Sequence, residues 1–278
     1  MEEGTIEIIE SGNIIINAAF AKLLKINNLE TIEKIYNLQG ETVKKAVKQR
    51  GTERVFLTDK NDHPIECYIK RCTAIPFKEK IKCLLQLKRW NFNALNEWLA
   101  LVRFHEVGLN TMLPIAAGYL QNGSNCILTL GLTGCVRASD FFNDKSICQE
   151  TRLKAIDNIA VLTATMHNNG MTHQDLYMVH FFIRPSEDYA AYMIDLQRVI
   201  FASPPKRRWH IKDLGQLTFA ASKLLSQEEM IRLKNTYRQN CTIDKVNDPA
   251  FVKAVEAKAT KIDKHDQARA RRRAAAQK

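Results

Sequence analysis

Apolar and polar residues alternate between residues 42 and 71, which is typical of half-buried β-strands. The pair Asn122-Gly123, further along the chain, separates two more apolar segments and favours a tight hairpin. Five strands are predicted from these patterns: residues 42–47, 53–58, 65–71, 115–120 and 126–130. The first half of the chain is therefore predicted to contain a small antiparallel sheet.

Helical spacing of apolar residues begins between the third and fourth strands. A helix is predicted from about Asn93 to Gly108, and a second covers residues 150–168 and is closed by Gly170. Two short strands are expected after it, at residues 181–184 and 191–196. The rest of the chain has helical periodicity after a break at Pro204-Pro205.

These elements predict an α+β protein with a β-rich lobe followed by an α-rich lobe. A glycine-containing segment at residues 131–134 is interpreted as the hinge between them. Four parts are predicted: an N-terminal extension at 1–41 to which no role is assigned, a lobe at 42–130, a lobe at 131–252 and a basic tail at 253–278.

Composition narrows the class of protein. The chain has 278 residues, of which 45% are hydrophobic, and this is ordinary for a globular protein. No apolar run reaches the roughly 18 residues of a spanning helix, and the acidic N-terminus does not resemble a signal peptide. The seven cysteines form no C-x-x-C pair, which favours a reducing compartment. We therefore expect a cytoplasmic location.

The charge is unevenly distributed. The net charge is +11, and the tail at residues 253–278 holds nine basic residues against three acidic ones. Such a tail is either a solubilising helix or an electrostatic attachment to an anionic membrane surface or a nucleic acid. No recognised nucleic-acid motif accompanies it, so no specific nucleic acid is expected as a partner.

The residues that carry chemistry lie around the second pair of short strands. Asp175 follows His173 on a short loop before the predicted hairpin, and Asp195 lies at its end. Kinase-type enzymes bring a base and a metal ligand to a phosphoryl group in this way. Lys70 on the third strand and Glu97 on the next helix precede the loop, in the order found in kinases. Each alone could be a turn, cap or surface residue, but the order favours a kinase.

At these residues the chain resembles the lipopolysaccharide kinase family, which phosphorylates heptose or Kdo sugars of the bacterial lipopolysaccharide inner core. Three segments carry the resemblance: the loop from His173-Gln174-Asp175 to His180-Phe181-Phe182-Ile183, the segment Ile194-Asp195-Leu196-Gln197-Arg198, and Arg207-Arg208-Trp209-His210-Ile211-Lys212-Asp213-Leu214. The resemblance implies a protein-kinase-like bilobal fold, with a small β-rich N-lobe, a larger α-helical C-lobe and an active site in the cleft. It also implies transfer of the γ-phosphate of ATP, with Mg²⁺, to a sugar hydroxyl.

Residue roles are carried over from the resemblance. Asp175 takes the position of the base, in a catalytic loop that contains His173, and Asp195 takes that of the Mg²⁺ ligand. His180 stands where protein kinases have an Asn metal ligand; because imidazole suits Mg²⁺ poorly, orienting the loop is an alternative role.

The nucleotide is expected to contact Lys70, paired with Glu97, and a phosphate-covering loop. That loop offers only Gly51 as a glycine, so contact with the phosphates is assigned also to basic side chains such as Arg50. Asp213 resembles the buried aspartate that fixes the catalytic loop from the following helix.

The expected acceptor is the lipopolysaccharide core glycolipid, reached from the cytoplasmic face of the inner membrane. Basic clusters at residues 78–89 and 206–208 are candidates for steering it. An additional protein partner is left open. A pseudokinase that binds nucleotide or partners without transfer is the alternative, because the phosphate-covering loop lacks most of its glycines.

Overall fold

The computed structural model describes residues 6–44, 50–74, 94–202, 206–244 and 246–276, and the chain forms two compact units. The first unit contains the residues up to Thr133 together with Asp195–Arg198, and the second contains the rest of the chain. The predicted basic cluster at residues 78–89 lies outside the described residues.

A seven-stranded antiparallel sheet forms the first unit. Its strands in chain order are β1 (Ile8–Ser11), β2 (Ile14–Asn17), β3 (Glu41–Lys44), β4 (Arg50–Thr58), β5 (Pro64–Cys72), β6 (Pro114–Tyr119) and β7 (Asn125–Leu130). Across the sheet the order is β1-β2-β6-β7-β5-β4-β3. The hairpin turn between β6 and β7 contains Gly123 at a φ of 82°, as Asn-Gly predicts.

Strand β4 begins three residues earlier than the sequence pattern predicts. Gly51 and Thr52 were expected in a loop, but they pair with Arg71 and Lys70 of β5. These residues belong to a polar run, so the alternation of apolar and polar residues that indicates a strand is absent there. Strand β5 nevertheless extends far enough to pair with them.

The N-terminal segment is part of the core of the first unit. It contributes β1, β2 and two short helices, α1 (Ala21–Ile26) and α2 (Ile32–Tyr36). Buried residues of this segment join sheet residues in one cluster: Ile14, Leu24, Ile32 and Ile35 with Val55, Ile69, Ile115 and Leu128. The Asn17 amide also donates to the carbonyl of Pro114 at 3.0 Å. The third helix of the unit, α3 (Ala94–Glu106), lies within the predicted helix.

The second unit is mainly helical. Its helices are α4 (Ala138–Asn143), α5 (Gln149–Asn168), α6 (Arg207–Ala221), α7 (Gln227–Asn240) and α8 (Pro249–Ala276). Its short strands are β8 (Val136–Arg137), β9 (Met171–Thr172), β10 (Phe181–Arg184), β11 (Ala190–Met193) and β12 (Ile200–Phe201). They form a three-stranded sheet in the order β11-β10-β8 and a two-stranded ladder of β9 with β12.

One predicted strand is too long. The sequence pattern extends it from residue 191 to residue 196, but β11 ends at Met193. Asp195 has a φ of 63°, in the left-handed region, and Leu196–Arg198 form a 3₁₀ turn. Leu196 is apolar, so the strand pattern in the sequence continues to it, although the backbone is no longer extended at Asp195.

The basic tail belongs to the 28-residue helix α8. Its first half packs against α6, where Phe251 and Val255 are buried and Lys258 lies against Gly215. Residues 264–275 are exposed, so the predicted solvated helix is found only in the second half. Within the described ranges, none of the helices has the length and apolar character needed to cross a bilayer.

Candidate active site

Three charged side chains meet in the first unit. Lys70 lies in β5, between Thr52 of β4 and Ile127 of β7. Its Nζ is 2.6 Å from Oε1 of Glu97, in the first turn of α3, and 3.1 Å from Oδ1 of Asp195. The family resemblance implied the pairing of Lys70 with Glu97, and the ion pair is present.

The electrostatics of this cluster keep Lys70 charged. Burial disfavours the ammonium, but Glu97 and Asp195 outweigh it, and the pKa of Lys70 lies above its usual value. Burial raises the pKa of Glu97, whose side chain is 2% exposed, and Lys70 opposes that rise. An ammonium has three N–H donors, so a lysine held between two carboxylates can donate to one more acceptor, such as a phosphate oxygen.

Neighbouring amides hold Asp195 in place. Nε2 of Gln197 donates to Oδ1 of Asp195 at 2.8 Å. Asn96, the residue before Glu97, donates in turn to the carbonyl of Gln197 at 2.5 Å. Helix α3 therefore supports the aspartate both through Lys70 and through Asn96.

The start of α3 is fixed from the sheet. Oδ1 of Asn125 in β7 accepts the backbone N–H of Ala94 at 2.8 Å, and Trp98 is 1% exposed. An accepted N–H satisfies one of the donors that every helix leaves open in its first turn. Glu97 is thus presented to Lys70 by a helix with a defined first turn.

The loop that contains Asp175 is organised by Asp213 of α6, within the second unit. Asp213 is fully buried, and its two carboxylate oxygens accept the backbone N–H groups of His173 and Gln174 at 2.6 and 2.7 Å. Gln174 has a φ of 64°, a conformation that these two bonds help to maintain. This is the contact that the family resemblance implied for Asp213.

Two histidines brace the same loop. The backbone N–H of Asp175 donates to Nδ1 of His173 at 3.3 Å, so Nε2 carries the proton of the neutral ring and donates to the carbonyl of Ile194 at 3.0 Å. Nδ1 of His180 donates to the carbonyl of Asp175 at 2.7 Å. The two rings stack with centroids 5.6 Å apart. Asp175 is therefore held through both its N–H and its carbonyl.

The other two residues predicted to contact the nucleotide, Gly51 and Arg50, lie at the start of β4. Gly51 lies one residue before Thr52, the partner of Lys70, and a Cβ built on it would meet nothing within 4 Å. Arg50 is the first residue of the strand, but its side chain is not among those that the structure describes.

The described side chains offer Mg²⁺ a single carboxylate where the resemblance expects it, that of Asp195. In the part of the chain that the structure describes, no three His, Cys, Asp or Glu side chains gather as a ready-made metal site. Mg²⁺ is commonly held by one or two carboxylates plus substrate phosphates and water, so Asp195 suits it without such a cluster. Imidazole is a weaker partner for this hard cation, and the contacts of His180 described above lie within the loop.

An antiparallel sheet with a paired strand lysine, and a helical unit with an H-x-D loop before a hairpin, define a kinase-like phosphotransferase. A model of the lipopolysaccharide kinase (Kdo/WaaP) family matches residues 33–237, and the chain belongs to this family. The predicted family and the predicted enzyme class, a phosphotransferase with an alcohol group as acceptor, are confirmed. As a kinase, the protein uses a nucleotide.

Curated relatives and a solved structure agree with this assignment. The chain is 29% identical over 249 residues to the lipopolysaccharide core heptose(I) kinase WaaP of Escherichia coli, covering 84% of this chain and 91% of the relative. It is 29% identical over 252 residues to the enzyme of the same name from Pseudomonas aeruginosa, covering 85% and 91%. The structure of WaaP in complex with acyl carrier protein superposes with a TM-score of 0.68 at 24% identity, covering 90% of this chain and 99% of that one. The predicted α+β, kinase-like bilobal fold is confirmed.

Sequence reasoning missed the residues that support the site. Asn96 and Gln197 were not singled out, although each is adjacent or nearly adjacent to a predicted site residue. His167, on α5, lies 3.3 Å from Asp213 and was recognised only as part of a helix. His167 is a polar residue at a position where the helical pattern predicts burial, and a buried polar residue needs a hydrogen-bond partner. This was the signal that could have identified it.

Proposed function

We propose that the protein transfers the γ-phosphate of ATP to a heptose hydroxyl of the lipopolysaccharide inner core. The heptose(I) kinases among its relatives support this acceptor, and Kdo is the second candidate that the family name includes. The observation that carries the nucleotide half of the proposal is the Lys70–Glu97–Asp195 cluster.

In this proposal Asp175 is the general base. Its carboxylate takes the proton of the sugar hydroxyl, the hydroxyl oxygen forms a bond to the γ-phosphorus, and the bond from that phosphorus to the bridging oxygen of ADP breaks. The bonds that hold both the N–H and the carbonyl of Asp175 support this role, because a base must be positioned before it can act. His173 and His180 orient the loop, and His180 as a metal ligand stays a prediction.

The nucleotide is assigned to the first unit. Lys70 contacts its phosphates while Glu97 fixes the ammonium, and Gly51 and Arg50 contribute from β4. Mg²⁺, when bound, would neutralise phosphate charge, and Asp195 is the residue that would hold it.

The Asp175→Asn variant tests the assignment. Labelled ATP and Mg²⁺ are supplied with purified dephosphorylated core, and the label in the glycan is counted. The wild type should transfer label, while Asp175→Asn should lose at least a hundredfold in kcat and keep its nucleotide affinity. Asp140→Asn, a change at an exposed aspartate, is the matched control and should be active. Equal turnover of the two variants would reject Asp175 as the base.

A pseudokinase is the second candidate function. It is favoured by the scarcity of glycines around Gly51. The same assay separates the two, since a pseudokinase would be stabilised by ATP in a thermal melt and would transfer label to no glycan offered.

We also propose that the exposed half of α8 attaches the protein to anionic lipid at the cytoplasmic face of the inner membrane, where a glycolipid acceptor is found. Arg271, Arg272 and Arg273 are exposed there, and each cation near an anionic surface contributes about 1 kcal/mol. Changing these three to Gln should weaken binding to phosphatidylglycerol vesicles at low salt. The same change at Lys22, Lys25 and Lys34 removes equal charge and should have little effect. Equal losses would reject α8 as the attachment surface.

An acyl carrier protein is proposed as the protein partner. The support is the solved complex of WaaP, together with a pocket between α6, α7 and α8 whose lining combines apolar side chains with Arg238 and with Lys234, which is ion-paired with Glu256. Titration of the wild type with purified acyl carrier protein should give saturable binding. Arg238→Glu should weaken it, whereas Arg103→Glu, at an exposed arginine of α3, should not.

A further inference from the structure

A chain of hydrogen bonds links the end of α7 to the loop that contains Asp175. Sγ of Cys241 donates to the Tyr237 hydroxyl at 3.4 Å, and this hydroxyl lies 2.8 Å from Nδ1 of His167. Nε2 of His167 lies 3.3 Å from Oδ2 of Asp213. The same Oδ2 accepts the backbone N–H of His173. Four side chains therefore connect α7 to the loop through α5 and α6.

Only one arrangement of protons satisfies every bond when the imidazole is neutral. The Asp213 carboxylate can only accept, so Nε2 of His167 must donate to it. Nδ1 of His167 is then an acceptor, and the Tyr237 hydroxyl is its donor. The phenol oxygen is left to accept the Cys241 thiol. The direction of every bond is thus set by the carboxylate that holds the loop.

Burial makes these bonds important. The side chains of His167 and Asp213 are fully buried and Tyr237 is 5% exposed, so water is a poor substitute for a missing partner. Burial also raises the pKa of Tyr237 well above its usual value, which keeps the phenol protonated as the donor that the chain requires. Bonds in such a network polarise one another, so the loss of one weakens the next.

We propose that Tyr237 and His167 are positioning residues, which set the Asp213 carboxylate and through it the backbone of His173, Gln174 and Asp175. The inference rests on the proposed function only for its effect on turnover. The geometry of the loop is a property of the protein that can be measured without a substrate.

The first test removes one oxygen atom. Tyr237→Phe deletes the hydroxyl and keeps the ring, and Tyr192→Phe is the control, since its hydroxyl contacts Glu187 and Arg184 in the same unit. Hydrogen exchange of the His173 and Gln174 amides should accelerate at least fivefold in Tyr237→Phe and stay unchanged in Tyr192→Phe. The kcat for transfer should fall about tenfold only in Tyr237→Phe, with the KM for ATP unchanged.

The second test separates the hydrogen bond from packing. His167→Gln keeps a side-chain N–H that can reach Asp213, whereas His167→Met has the same length and no donor. The Gln variant should retain protected loop amides and kcat within about threefold of the wild type, and the Met variant should lose both. Melting temperatures of all variants confirm that they are folded at the assay temperature.

The outcomes are distinct. Equal exchange in Tyr237→Phe and Tyr192→Phe, or equal loss in the Gln and Met variants, would overturn the positioning role. A wild type that transfers no phosphate would count against the proposed function alone, because the exchange pattern would still decide whether Tyr237 and His167 set the loop.

Discussion

Lys70 and Glu97 form an ion pair in which the Glu97 side chain is 2% exposed and the Lys70 side chain 22% exposed. Glu97 is therefore enclosed by protein, while part of the Lys70 side chain reaches the surface. Asp195 is the second partner of the ammonium, so the two carboxylates share one cation.

Glu97→Gln is expected to weaken nucleotide binding about tenfold, which corresponds to about 1.4 kcal/mol. The amide keeps the volume of the side chain but removes its charge, so the ammonium shifts towards Asp195 and away from the phosphates. Titration with a fluorescent ATP analogue measures the change. Glu66→Gln is the control, because Glu66 lies on β5, the strand of Lys70, and its carboxylate accepts from the Tyr68 hydroxyl. The affinity of this variant for the ATP analogue should match that of the wild type. An unaltered affinity in Glu97→Gln would contradict the assigned role.

Asp213→Asn should unfold more easily than the wild type by about 2 kcal/mol and lose most phosphate transfer. An amide offers one accepting oxygen, and its NH₂ group would face an N–H donor of His173 or Gln174. Urea unfolding and the transfer assay measure the two effects. Asp144→Asn, at an exposed loop aspartate that accepts from Ser146, serves as the comparison, and a similar loss there would show that the effect is not specific to the loop contact.

Acid is expected to destabilise the fold through His210. Burial, followed by the neighbouring His167, lowers the pKa of His210 to about 4, while Asp213 opposes the shift. Between pH 4 and the ordinary histidine pKa of about 6.5, the unfolded chain binds a proton that the folded chain does not. Stability therefore falls as the pH decreases through this window, by about 2 kcal/mol between pH 7.5 and pH 5.

Urea unfolding at several pH values checks the expectation for His210. In His210→Leu the part of the pH dependence due to this residue should disappear. His63→Leu removes a histidine whose side chain is 76% exposed and should leave the dependence as it is. If His210→Leu retained the full slope, the loss of stability in acid would have another origin.

Gly215→Ala should destabilise the protein by about 1–3 kcal/mol, although alanine is the better helix former. A Cβ at this position would lie 2.5 Å from Cγ and 2.8 Å from Cβ of Lys258, atoms near the backbone of α8 that cannot move aside easily. Gly51→Ala, where a Cβ meets nothing within 4 Å, should change the free energy of unfolding little. Thermal and urea unfolding compare the two variants.

Local patterns in the sequence predicted those features that depend on neighbouring residues. The alternation in β5 and the helical spacing around Trp98 are such features, whereas the pairing of Lys70 with Glu97 was implied by the family resemblance. The end of β11 was missed because a φ of 63° at Asp195 has no signature in an apolar pattern.

Long-range pairing explains the other omissions. The pairing of β2 with β6 could not be read from residues 1–41, since the partner strand lies about a hundred residues away. The bond from Tyr237 to His167 joins two helices whose own periodicities are satisfied without it. In each of these cases the contact depends on a distant strand or helix, and the segment's own sequence does not identify that partner.

The position of β1 and β2 at one edge of the sheet bears on how the first unit folds. The hairpin that they form is local, since Ile16 pairs with Ile9, and it can form as soon as it is synthesised. Its place in the sheet depends on Ala116, which leaves the ribosome much later. Closing so long a loop costs entropy before any contact repays it, and such topologies fold slowly. The growing chain must therefore keep the apolar face of this hairpin in solution until β6 and β7 are available, and this interval is when the unit is most exposed to aggregation.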